Sequence, residues 1–256
     1  MTAATPVRVL QITDPHLFAD TSGSLRGVVT YDSLQQVLAD YQRRSWVADL
    51  AIVTGDLIQD DTREAYQHFR ALFGSLGLPV HCVPGNHDVR DVMREALASP
   101  PFHYCKSAKH GDWLITGIDS CIDGEAGGLV SADELHRLAG ILQATDAKHV
   151  AVCLHHPPLP MGSRWLDTVG LANGDEFLDL VGSAGNVRLA IFGHVHQAFD
   201  TSAGGVRIVG TPSSCAQFLP KADTFAIDER PPAYRRFEFW PDGRFDTELI
   251  WLEADE

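Results

Sequence analysis

Five short clusters of metal-binding side chains recur along this chain of 256 residues: Asp14-Pro15-His16, Gly55-Asp56, Gly85-Asn86-His87-Asp88, His155-His156 and Gly193-His194-Val195-His196. Carboxylate, imidazole and amide oxygen suit manganese, iron, zinc or cobalt, and the lack of thiolates in the clusters argues against a structural zinc knot. The donors outnumber one tetrahedral site. Two ions about 3.5–4 Å apart, bridged by a carboxylate and a hydroxide, would use the whole set and form a clamp for in-line displacement at phosphorus. Each fragment alone is weak. Gly-Asp after a strand is an ordinary turn, Asn86 and Asp88 are turn formers, and a histidine pair two residues apart is often just buried and bonded to backbone. The combination carries the reading.

Each cluster directly follows a short apolar run: VRVLQIT, LAIVT, PVHCVP, HVAVCL and RLAIF, with WLITGI and VRIVG as further runs of the same kind. These are buried strands of an α/β protein, and in open α/β sheets the loops leaving the carboxyl ends of strands gather at one edge. Between them lie amphipathic stretches. Leu34, Val37, Leu38 and Tyr41 fall at helical spacing, as do Ala65, Phe69, Leu72 and Phe73, and Ser131 followed by Glu134 opens a third helix with a capping-box pattern. Beyond about Arg188 the helical pattern stops, and YRRFEFW, PDG and RFDTELIWL predict a hairpin. In AVCLHHPPLP successive side chains of an extended strand point to opposite faces, so only one of His155 and His156 reaches a shared site. His155, the first residue past the run, is the expected ligand; His156 is expected to face away toward the loop or the substrate's surroundings.

The composition narrows the partners. A formal charge of −14 argues against binding a nucleic-acid polymer, which requires a basic face, while a small anionic substrate remains compatible if bound metals supply local positive charge. Five scattered cysteines without a C-x-x-C predict reduced, mostly buried thiols. No apolar run approaches the roughly twenty residues of a membrane span, and MTAATPVRVL lacks a basic segment followed by a long apolar stretch, so a cytoplasmic protein without membrane attachment is expected. With 45% hydrophobic residues, no linker and no repeat, a single domain over residues 1–256 is the simpler organisation.

The series Asp14-x-His16, Gly55-Asp56, Gly85-Asn86-His87-Asp88, His155 and Gly193-His194-x-His196 resembles that of the calcineurin-like binuclear metallophosphoesterases, over residues 8 to 196. TGDLIQDDTREAYQHFRALF, LHHPPLPMGSRWLD and GTPSSCAQFLP with FAID and PPAYRRFEF resemble the bacterial class III 3',5'-cyclic-AMP phosphodiesterases. The resemblance implies a four-layer αββα sandwich with a strand-rich C-terminal part. It implies that Asp14, His16 and His196 hold one metal, that Asn86, His155 and His194 hold a second, and that Asp56 bridges them. Iron and manganese are the implied pair, with zinc or cobalt as alternatives. His16, Asp56, Asn86 and His196 would also face the substrate, and His87 would stabilise phosphate charge or assist proton transfer to the leaving oxygen, or else only orient its neighbours.

The implied reaction is hydrolysis of cyclic AMP to 5'-AMP. Alternatives are a broader phosphodiesterase for glycerophosphodiesters, nucleotide-sugar pyrophosphates, aryl phosphodiesters or other cyclic nucleotides, and a non-catalytic scaffold, which the full set of seven ligands disfavours. Oligomeric state, monomer or homodimer, stays open. Several residues carry two readings. Asp60 and Asp88 orient ligands or form caps and turns; Trp165 stacks on a base or packs; Arg164 meets the phosphate or is solvated. Thr211, Ser213, Ser214 and Gln217 are candidates for lining the nucleotide pocket, and Arg235 and Arg236 are expected on a solvated strand face.

Overall fold

Alternation along the first strand shows how the layers are specified. In Val7–Ile12, Leu10 and Ile12 enter a core shared with helices, while Val9 enters a different core shared with strands of a second sheet. The computed structural model describes residues 5–253, so the first four residues of the N-terminal stretch read above lie outside it. The first sheet has the spatial order Phe245–Trp251, Ala233–Phe239, Val7–Ile12, Leu50–Val53, Val80–Cys82, Phe102–Tyr104. Its last four strands run parallel, and the C-terminal hairpin adds antiparallel. The second sheet is ordered Phe199–Ala203, Val206–Gly210, Val187–Phe192, His149–Cys153, Trp113–Gly117, Ser107–His110, parallel within and antiparallel at both edges.

Three apolar cores separate four layers. Thr30–Arg43, Arg63–Gly74 and Arg90–Ala96 cover the outer face of the first sheet through residues such as Leu34, Val37, Phe69, Phe73 and Met93. Ala132–Ala144 and Gly174–Ser183 cover the second through Leu135, Leu138, Phe177 and Val181. Between the sheets Val9, Leu50 and Ile52 meet Trp113, Ile115, Ala151, Leu189 and Ile191. This is the expected αββα sandwich. The predicted cap is present, Ser131 Oγ accepting from the Glu134 N–H at 3.2 Å, and the second helix is capped likewise, Thr62 Oγ1 accepting from the Ala65 N–H at 3.2 Å. The Ser131 cap is one-sided, because Glu134 accepts from the Asp119 N–H instead of turning back to Ser131. The predicted C-terminal hairpin is in register, closed around Gly243.

Arg235 and Arg236 correct an expectation. Neither is solvated: both are under a tenth exposed. Ala233–Phe239 is flanked by strands on both sides, and the parity that sends Phe237 and Phe239 into the gap between sheets sends Arg235 there too. Its guanidinium donates to Thr211 Oγ1 (3.0 Å), the Gly210 carbonyl (3.2 Å) and Thr247 Oγ1 (3.3 Å), and burial pulls its pKa down to about 10. Arg236 turns the other way, lies over the Trp46 ring and donates to the Tyr234 hydroxyl.

Candidate metal centre

The seven proposed ligands come from the carboxyl ends of five parallel strands, three adjacent in the first sheet and two adjacent in the second, so they meet above the gap between the sheets. The backbone turns sharply to bring them there. Asp14 (φ 52°), His16 (47°), Asp56 (52°), His194 (67°) and His196 (47°) all adopt the left-handed conformation that non-glycine residues avoid, at a cost of about 1–3 kcal/mol each. Two glycines let the loops close on one another. A Cβ on Gly193 would overlap Thr13 Oγ1, the Thr54 carbonyl and the Asp14 carboxylate; one on Gly85 would overlap Asp56.

The ligand atoms form two groups joined by one carboxylate. In the first, His196 Nε2 is 3.1 Å from His16 Nε2 and 3.5 Å from Asp14 Oδ1. In the second, Asn86 Oδ1 is 3.1 Å from His155 Nε2 and 3.0 Å from His194 Nδ1. Asp56 Oδ2 stands between, 3.6 Å from His16 and 3.4 Å from His155. The outer ring atoms determine the tautomers. His155 Nδ1 donates to the Thr54 carbonyl (2.7 Å) and His196 Nδ1 to the Ala216 carbonyl (2.6 Å), so as neutral rings both direct a bare Nε2 inward. Inward lone pairs crowded against carboxylate and amide oxygens are a donor set made for cations, and the residues present fit two metal ions.

Electrostatics agree. Burial opposes ionisation of Asp56, yet His155 and then His16 hold it well below the usual carboxylate range. Burial takes His16 down to about 4, against Asp56. Burial also works against a proton on His155, but Asp56 and Asp14 outweigh it and push the ring up to about 9. The cluster thus attracts positive charge strongly enough to hold a proton that a binding metal ion would displace.

Neighbouring residues sort by what they touch. His87 donates its backbone N–H to Asp56 Oδ1 (2.9 Å), its ring Nδ1 is 3.2 Å from Gln59 Nε2, and it lines the cavity over the cluster. Asp88 accepts from the N–H groups of Gly85 and Leu57 and from the Tyr66 hydroxyl, tying two ligand loops together; burial, with Asp56 nearby, lifts it to about 7. Asp60 accepts from Ala19 N–H and the Thr62 hydroxyl, a loop-tying and turn role. His156 is fully buried with Nδ1 2.9 Å from Ser120 Oγ and Nε2 3.3 Å from the Ala126 carbonyl, while its ring lies 4.8 Å from that of His194. Both its nitrogens are spent on the 120–126 loop.

The pocket expectation for Thr211, Ser213, Ser214 and Gln217 is corrected: all four are fully buried and none lines the cavity. They brace the first ligand loop from below. Ser213 Oγ donates to the Asp14 carbonyl (2.7 Å), Ser214 Oγ to the Thr13 carbonyl (3.1 Å), Thr211 Oγ1 to Gln11 Oε1 (2.5 Å), and Gln217 closes its own loop on Ser213. Arg164 is exposed and faces Asp223 at 3.9 Å outside the cavity, whereas Trp165 lines it. Sequence reasoning missed Thr13 and Thr54, whose oxygens hold Asp14 and His155, and the cavity residues Gln59, Arg26, Phe218 and Phe225. Their only signal is a position beside a ligand or in a loop, which carries no chemistry by itself.

The profile of the calcineurin-like phosphoesterases matches residues 7–198, three quarters of the chain. The chain belongs to this family. The phosphoesterase is 36% identical over 251 residues to the 3',5'-cyclic adenosine monophosphate phosphodiesterase CpdA of Haemophilus influenzae, covering 98% of this chain and 92% of that one. It is 38% identical to CpdA of Escherichia coli K12 (95% and 89% covered) and 33% identical to a 3',5'-cyclic-nucleotide phosphodiesterase of a Nostoc species (95% and 92%). The fold of the phosphoesterase also matches a dimetal phosphatase from Danio rerio with a TM-score of 0.66 at 16% identity, over 96% of this chain and 99% of that one. No helix among the described residues is long and apolar enough to cross a membrane.

Proposed function

We propose that this phosphoesterase hydrolyses 3',5'-cyclic AMP to 5'-AMP at a two-metal centre. The observation that carries the reading is the convergence of seven ligand side chains from five strands, with Asp56 between two groups, beneath a cavity of about 510 Å³. Asp14, His16 and His196 would hold one ion, Asn86, His155 and His194 the other, and Asp56 both. Iron and manganese are the proposed pair, and zinc or cobalt suits the same donors. Bound there, the metals supply Lewis acidity toward phosphoryl oxygens and lower the pKa of a water molecule enough to make a nucleophile at neutral pH.

The protein's own groups do the rest. His16, Asp56, Asn86 and His196 line the cavity and so meet the cyclic phosphate. His87 projects over the same space from a backbone tied to Asp56, placed to donate a proton to the departing 3'-oxygen or to a charged phosphoryl oxygen. Similarity to cyclic-AMP phosphodiesterases over 95–98% of this chain favours that substrate over other phosphodiesters. The complete ligand set weighs against a purely scaffolding role. The pairing of Ala233–Phe239 with Val7–Ile12 supports treating residues 1–256 as one domain, and five unpaired cysteines suit a reducing cytoplasm.

The test is turnover of cyclic AMP, cyclic GMP and a glycerophosphodiester by protein loaded with defined metals. Asp56→Ala and His194→Ala are expected to lose activity by orders of magnitude. Negligible cyclic AMP turnover beside brisk glycerophosphodiester turnover would overturn the substrate assignment.

A further inference from the structure

The cavity above the metal cluster is lopsided. One side is the cluster itself. The other is an aromatic wall of Trp165, Phe218 and Phe225, whose ring centroids lie 5.1–5.3 Å apart in edge-to-face pairs. The wall begins at a proposed metal ligand, because Phe218 lies flat on the His196 ring at 4.1 Å with an interplanar angle of 6°. A planar group attached to a phosphate held at the cluster therefore finds aromatic surface one ring further out.

Against this wall lies the tip of a hairpin, Ser24–Leu25 paired with Val28–Val29. Its two-residue turn has both central residues at positive φ, Arg26 at 54° and Gly27 at 86°, the conformation of the tightest hairpins. The turn carries the Arg26 guanidinium to 4.7 Å from the Phe225 ring centroid. Arg26 is the only lysine or arginine lining the cavity, and it makes no hydrogen bond or ion pair among the described residues. A planar, permanently charged fork already stacked on the wall is suited to cover a nucleobase and to donate to its acceptor atoms.

We propose that Arg26, with Phe225 and Trp165, forms the base-binding subsite, so that preference for a nucleotide over a plain phosphate ester rests on the Ser24–Val29 hairpin. This deepens the cyclic-nucleotide reading above and rests on it. The ratio of affinities for 5'-AMP and ribose 5-phosphate, measured by calorimetry on metal-loaded protein, isolates what the base contributes. Base-to-aromatic stacking and its cation partner are each large enough for about a tenfold effect. Arg26→Ala and Phe225→Leu should each lower the ratio about tenfold, Arg26→Lys should fall between, and Arg164→Ala, outside the cavity, should leave it as in wild type. KM for cyclic AMP should rise in Arg26→Ala with a smaller change in kcat. A ratio unchanged in Arg26→Ala and Phe225→Leu overturns the subsite. Wild-type protein that fails to turn over cyclic AMP strikes instead at the functional reading, so the two failures are distinguishable.

Discussion

Replacing His194 by glycine should leave the metal-free protein more stable than replacing it by alanine, the reverse of the ordinary order. Both substitutions remove the same imidazole from the same buried place, so lost packing cancels and the backbone remains. At φ 67° a Cβ costs about 1–2 kcal/mol that glycine does not incur. Against this, glycine's extra freedom in the unfolded chain costs about 0.5–1 kcal/mol. The midpoints of these ranges favour glycine by about 0.7 kcal/mol, or roughly 1–3 °C in Tm for a chain of this size. His155 supplies the control. It belongs to the same cluster but is not among the positive-φ residues, so His155→Gly should be less stable than His155→Ala by about 0.5–1 kcal/mol. The assay is thermal or urea unfolding of the four variants in excess chelator. If the glycine and alanine variants rank alike at both positions, the ligand loops hold no backbone strain and the argument fails.

The two adjacent histidines should separate by metal content. His155→Ala should lower bound metal from two ions toward one per chain by elemental analysis, while His156→Ala keeps both ions but loses about 1–3 kcal/mol of stability, because the Ser120 O–H loses the ring nitrogen it donates to and the Ala126 carbonyl loses its donor. A second set of histidines should shape acid stability. His81 stacks on His103 at 4.7 Å with His110 nearby, and burial followed by those two neighbours takes it down to about 3. Its folded pKa lies below the unfolded value near 6.5, so it has no effect above that pH. As pH falls from 6.5 toward 3, only the unfolded chain gains the proton and stability is lost, by about 2 kcal/mol at pH 5. His81→Leu should flatten urea-denaturation midpoints between pH 6.5 and 4.5; an unchanged slope would count against it.

Much of the layering is legible because it rests on periodicity. Leu34, Val37, Leu38 and Tyr41 fall on one helical stripe and are all buried, and the even and odd positions of Val7–Ile12 declare two different cores. The ligand clusters are legible because each follows a recognisable apolar run. What escapes is whatever depends on a third neighbour. Gly174–Ser183 is a short helix with glycines at its start and within its last turn, which blurs its stripe. Arg235 has the look of a surface cation, and only the strands on either side and Thr211 across the gap make its burial tolerable. Thr211, Ser213 and Ser214 sit after a strand as a pocket loop would, but their hydroxyls are consumed beneath Asp14 and Gln11. Phe218 and Phe225 join the cavity wall only because a loop folds back over His196.

The strand that carries Asp14 is hydrogen-bonded to Ala233–Phe239, and Ser213 and Ser214 reach Asp14 and Thr13 across about two hundred positions of chain. A ribosome delivers the N-terminal ligands long before it delivers the segment that seats them. Pairings so distant in sequence form slowly and late. A chain still lacking Ala233–Phe239 would therefore have every proposed ligand through His196 in hand without the strand pairing that seats Asp14. Ordering of the proposed site is expected to wait for the C-terminal hairpin, so the last segment made governs the geometry of the first.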